Sequence, residues 1–197
     1  MNITLYPLHD YNNGILSPFT IELDGLDEDD YRTEINNGLY EYSKTGNVIS
    51  SKCNGCGFVH IAATPETCDY CGSEDLETKA TNEEWIVCDS EDVPSEYVGE
   101  YDLSSDFWNY NEFIKQTHLD PEIVAAGVYL GIDLDNIEEA YQGQYKDDED
   151  FAQELAEEIG AIDNNASWPN YCIDWERAAR DIMMDYCEHE GYYFRNL

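Results

Sequence analysis

Cys53-Asn54-Gly55-Cys56-Gly57, then Cys68-Asp69-Tyr70-Cys71-Gly72, then Glu84-Trp85-Ile86-Val87-Cys88 follow one another between residues 53 and 88. The cysteine part, with scattered Gly and Thr, has little hydrophobic periodicity, whereas the part from Glu84 has the character of a strand. Upstream, Ile3 and Leu5, then Phe19, Ile21 and Leu23, alternate with other residues on either side of a turn-rich stretch containing Asn12, Asn13 and Gly14. This predicts two strands of a small antiparallel sheet. Asp27 is placed to cap a helix with acids in its first turn, ending around residues 36–38 or running on to Tyr42. A sheet pattern thus stops before the cysteines and resumes after them, so residues 49–80 read as a segment inserted into an α+β domain.

The four cysteines form C-x2-C, eleven residues, C-x2-C, each pair followed by glycine. Tetrahedral zinc accepts four thiolates at about 2.3 Å, and a two-residue spacer lets one tight turn present both sulfurs to one ion. A segment too small to bury a core of its own would draw its folding energy from the metal. Two disulfides or a redox pair are the competing readings of the same spacing. Four thiolates close the coordination sphere, so the expected role of zinc at Cys53, Cys56, Cys68 and Cys71, one ion per chain, is structural. His60 lies between the pairs and offers an alternative ligand. Cys88, Cys172 and Cys187 sit in apolar patterns and read as ordinary core thiols.

The chain has 197 residues, of which 42% are hydrophobic, enough for a core but not for a large multidomain enzyme. Against 44 Asp and Glu stand nine Lys and Arg, a net charge of −35. Such a balance argues strongly against direct nucleic-acid binding. Sixteen Tyr, six Phe and four Trp supply the bulky apolar surface that disordered acidic tails lack, so the chain is expected to fold. The N-terminus lacks a basic n-region and the apolar run Ile123 to Ile132 is half a membrane span, which reads as soluble and unexported. Duplex DNA carries one charge per roughly 1.7 Å, so 35 charges match the phosphates of about 60 Å, or about 17 base pairs. Residues 81–197 hold 30 acids and five bases, and residues 1–80 hold 14 and four, so most of the field belongs to the C-terminal part.

Helical patterns dominate from Ser104. Asp106 to Gln116 is one segment; Asp120-Pro121-Glu122 opens another before Ile123 to Leu130; a short one follows around Asp135 to Tyr141. Asp147 to Ile159 spaces Phe151, Leu155 and Ile159 by four residues, a core-facing stripe, with Gly160 as a stop. The last predicted helix runs from about Asp174 to Glu188, and Tyr192 to Phe194 adds a final strand. Catalytic constellations are hard to find: the four histidines are dispersed, and no HExxH, GxSxG or P-loop is present. Asp133-Leu134-Asp135-Asn136 begins like a calcium loop but fails at Ile137 and Glu138.

Several of these segments resemble the ArdA antirestriction proteins. They are Glu83 to Glu91 with Gly99-Glu100-Tyr101, Leu134 to Gly143, Asp150 to Gly160, and Tyr171 to Asp181; Leu5 to Gly14 and Phe19 to Leu23 look like the family's first hairpin. The resemblance spans nearly the whole chain except about residues 45–80, and the ribbon is a departure, since the better-known members lack it. It implies an elongated homodimer of three small domains in a row: an N-terminal α+β domain over 1–102 carrying the ribbon insertion, a helical middle domain over 103–132, and an acidic α+β domain over 133–197. It also implies a non-enzymatic, cytoplasmic product of a mobile element in a bacterial host. Such proteins mimic bent DNA and occupy the DNA-binding groove of type I restriction-modification enzymes, chiefly their methyltransferase core. The contact candidates are then the helix-borne acids Asp135, Glu138, Glu139, Asp147, Asp148, Asp150, Glu154, Glu157 and Glu158. Two other readings compete: an acidic zinc-ribbon adaptor for another basic host protein, and a salt-adapted housekeeping domain.

Overall fold

The computed structural model describes residues 1–163, 168 and 170–197. The fold is α+β, with seven α-helices and three antiparallel three-stranded sheets among these residues. Contacts divide the chain into two compact units, Met1–Asn111 and Glu112–Leu197.

In the first unit, β1 (Asn2–Pro7) buries Ile3, Leu5 and Pro7 and exposes the alternate residues more, the period-2 pattern of a half-buried strand. A single helical turn, α1 (Leu8–Asn12), occupies part of the turn-rich stretch, and β2 (Phe19–Glu22) returns antiparallel, pairing Leu5 with Phe19 and Asn2 with Glu22. Helix α2 (Glu28–Tyr42) begins where the Asp27 carboxylate accepts the Asp30 N–H at 2.8 Å, and acids at 28, 29 and 30 complement its dipole. Tyr31, Ile35 and Leu39, four residues apart, form its fully buried stripe.

The chain then leaves this sheet for a second one, built from β3 (Val48–Cys53), β4 (Val59–His60) and β5 (Leu76–Thr81) in the order β4-β3-β5. It comes back as β6 (Trp85–Glu91), which pairs antiparallel with β1 from Pro7↔Trp85 to Asn2↔Glu91, past a bulge at Thr4/Leu5. The cysteine segment is therefore a sheet of its own, inserted between α2 and β6. Helix α3 (Asp106–Gln116) adds Phe107 and Tyr110 to the core of this unit.

The second unit carries α4 (Pro121–Tyr129), α5 (Leu134–Ala140), β7 (Tyr141–Gln144), α6 (Asp148–Glu158), α7 (Trp175–Ile182), β8 (Tyr186–His189) and β9 (Tyr192–Arg195). Its sheet runs β7-β9-β8. An aromatic cluster pins α6: the Phe151 ring lies 4.6 Å from that of Tyr193, 5.0 Å from Tyr186 and 5.1 Å from Tyr145.

Three expectations are corrected. The last helix ends at Ile182, not near Glu188, because Tyr186 to His189 pairs with β9 through a two-residue turn in which Glu190 and Gly191 both have positive φ. The stripe on α6 shortens: Phe151 is buried, but Ile159, 68% exposed, has passed the helix end and packs into no core. Cys88 and Cys172 are exposed and Cys187 is half-buried, so none is a core thiol.

Candidate functional site

Each C-x2-C pair is built on the same turn. In the first, Gly57 N–H donates to Cys53 O at 2.8 Å and Cys53 N–H to Phe58 O at 2.9 Å. In the second, Gly72 N–H donates to Cys68 O at 2.7 Å and Cys68 N–H to Ser73 O at 2.8 Å. The residue after each second cysteine takes φ of +81° and +74°, and glycine enters that region without steric cost. The turns bring Cys53, Cys56, Cys68 and Cys71 together, with all four sulfurs within 4.8 Å of one another.

The Sγ–Sγ distance is 3.6 Å for both Cys53–Cys71 and Cys56–Cys68, while the edge of a tetrahedron with 2.3 Å zinc–sulfur bonds is about 3.8 Å. All four thiols are free, and the geometry fits one zinc ion. Burial works against a thiolate at Cys53, yet the N–H groups of Cys56 and Gly55 and the Cys71 thiol outweigh it and bring its pKa down to about 6. At Cys56 the Phe58 N–H favours ionisation, but burial and the three neighbouring sulfurs push the thiol up to about 12. Four clustered thiols do not ionise together unaided, and a dication supplies the opposite charge that permits it. His60 is not a member of the cluster: its Nδ1 faces Asp69 Oδ2 at 3.4 Å, and its ring packs edge-on to Phe58.

The ends of the insertion are tied down by a buried carboxylate. Asp10 is fully buried and accepts from Lys44 N at 2.7 Å, Thr45 N at 2.8 Å, Thr45 Oγ1 at 2.5 Å and Ser17 Oγ at 2.8 Å. Asn82, at the far end of the insertion, accepts the Asp10 N–H at 3.2 Å and donates to Thr45 O and Ser43 Oγ. Desolvation raises the Asp10 pKa, but the Thr45, Lys44 and Ser17 donors prevail and hold it below the ordinary aspartate value. Only the position of this cluster, at the junction of insertion and host, explains its burial, and no periodicity in the sequence announces it.

The remaining carboxylates face water. Of the 44 acids, Asp10 is buried, Asp102 is half-buried beside Arg32, and all others are exposed. All nine contact candidates are exposed: Asp135, Glu138 and Glu139 on α5, Asp147 at the cap of α6, and Asp148, Asp150, Glu154, Glu157 and Glu158 along it. Asp147 is held low, first by the Asp150 N–H it accepts and then by Lys146. Asp148 accepts the Tyr193 hydroxyl at 2.7 Å, which joins the acidic face to the aromatic core beneath it. Glu138 and Glu139 meet Thr117 and Arg195.

The model of a protein family described as antirestriction protein (ArdA) matches residues 6–194. This chain belongs to the ArdA family. No curated protein matches it. It thus belongs to an antirestriction family, and the matched range brackets the ribbon, in which the four cysteine sulfurs converge. Divided at the boundary of the two units, the charge is nearly even, −19 over residues 1–111 and −16 over residues 112–197. Among the described residues no helix is long and apolar enough to cross a membrane.

Proposed function

We propose that this ArdA protein is a DNA mimic that occupies the DNA-binding groove of type I restriction-modification enzymes, as a homodimer, and so protects incoming mobile DNA. The observation that carries the reading is the segment Asp147 to Glu158: seven exposed carboxylates and no base on a capped helix. Eleven helical rises span about 17 Å, over which duplex DNA carries about ten phosphates, so the linear charge density is comparable. Lys and Arg that normally track phosphates meet carboxylates already fixed in place, which spares the ordering cost of a flexible acidic chain. Zinc, held by Cys53, Cys56, Cys68 and Cys71, would stabilise the ribbon without contributing a reactive position.

The test is competition. Purified protein should displace a DNA duplex from a type I methyltransferase core, with an affinity that falls steeply as salt rises. Failure to displace DNA at low salt would end the proposal.

A further inference from the structure

Charge is segregated within the ribbon. Residues 53–78 hold five acids, Glu66, Asp69, Glu74, Asp75 and Glu77, and no Lys or Arg. The two lysines that flank this tip are engaged at its root: Lys52 pairs with Glu41, and Lys52 and Lys79 lie 5.7 and 4.3 Å from the Tyr40 ring centroid. Glu77, opposite Lys52 in the β3–β5 ladder and bonded through its carbonyl to Tyr40, belongs to that root, so the tip proper carries Glu66, Asp69, Glu74 and Asp75, all exposed and without a Lys or Arg among them.

It also presents an aromatic face. Tyr70, inside the second turn and 76% exposed, lies parallel to Phe58 from the first turn, with centroids 5.7 Å apart and planes 5° from coplanar. Phe58 packs in turn on buried His60. The Tyr70 ring is therefore oriented before any partner arrives, and an exposed ring on an anionic segment is suited to a guanidinium, which stacks on an aromatic face and is drawn by the surrounding negative charge.

We infer that the ribbon tip is a second docking surface, in which Tyr70, supported by Phe58 and adjoining Asp69 in a segment to which Glu74 and Asp75 add negative charge, receives an arginine side chain of the basic protein that the molecule inhibits. The inference rests on the proposed mimicry for the identity of that protein, but not for the chemistry of the tip. Aromatic platforms also stack nucleobases, yet four tip carboxylates with no Lys or Arg among them repel the attached phosphates.

The experiment has two arms. In the first, wild type, Tyr70→Ala, Tyr70→Phe and the double variant Glu74→Gln/Asp75→Asn compete with duplex DNA for a type I methyltransferase core, each checked for bound zinc and native circular dichroism. Tyr70→Ala and the double variant should compete about five- to tenfold less well, and Tyr70→Phe like wild type. Equal competition by all four overturns the docking surface and leaves the mimicry standing; failure of wild type overturns the mimicry alone. In the second arm, a blocked diarginine peptide, its dilysine counterpart and oligo-dT are titrated against the amide spectrum of the zinc-loaded full chain. Shifts confined to the tip and larger for arginine support the inference; no shift with arginine, or larger shifts with oligo-dT, overturns it.

Discussion

In the ribbon, residues 48–81, the buried apolar side chains are two cysteines and Val59, so its order depends on four converging sulfurs, two repeated turns and a polar clasp at its base. Helix α6, by contrast, rests on Phe151 and its ring neighbours and needs no metal to keep seven acids in place. Helix α6 and the metal-bearing ribbon are thus stabilised separately, although both display acids. Conditions that destroy one need not touch the other.

The largest expected effect follows from chelation. Stripping the metal should collapse amide-exchange protection across residues 48–81 while the β1–β6 ladder keeps its own; loss of protection in both would show that the two are not independently stable. Phe151→Ala should cost about 3–5 kcal/mol in urea denaturation and loosen α6, with zinc content unchanged. Asp10→Ala should cost about 3 kcal/mol, because Thr45, Lys44 and Ser17 donors lose their acceptor, and Asp10→Asn less.

Asp10 also fixes a sign for pH. Its pKa is depressed by folding, so its contribution is complete above the unfolded aspartate value of about 4 and is lost as pH falls through the lower folded value. An acid titration followed by circular dichroism should show that limb in wild type and a flatter one in Asp10→Asn. The smallest effect belongs to single surface acids. Glu154→Gln should change affinity for the target by less than about 0.5 kcal/mol, measured as competition against duplex DNA at fixed salt.

Spacing made the cysteine site legible, since metal chemistry demands fixed ligand types at fixed intervals. The first hairpin, the Asp27 cap and the helix Asp106–Gln116 were legible through periodicity and capping. Tyr186 to His189 was not: Trp175, Ala178, Ala179, Ile182 and Tyr186 fit a helical stripe, and only the partner strand Tyr192–Arg195 overrides it. Ile159 misled for a related reason, because a four-residue interval says nothing about where the neighbouring surface ends. The Asp10 cluster joins residues up to 72 positions apart, beyond the reach of any local pattern.

Val48 and Thr81 are partners across one ladder, and Asn47 N–H donates to Thr81 O at 2.9 Å. Entrance and exit of the metal-bearing lobe thus share a single doorway. Excising the lobe and bridging the gap with a short turn would keep the β1–β6 ladder's own hydrogen bonds but strip the buried Tyr40 ring of Lys52, Lys79 and the Glu77 carbonyl, so a deletion variant needs a new cover on that face of α2.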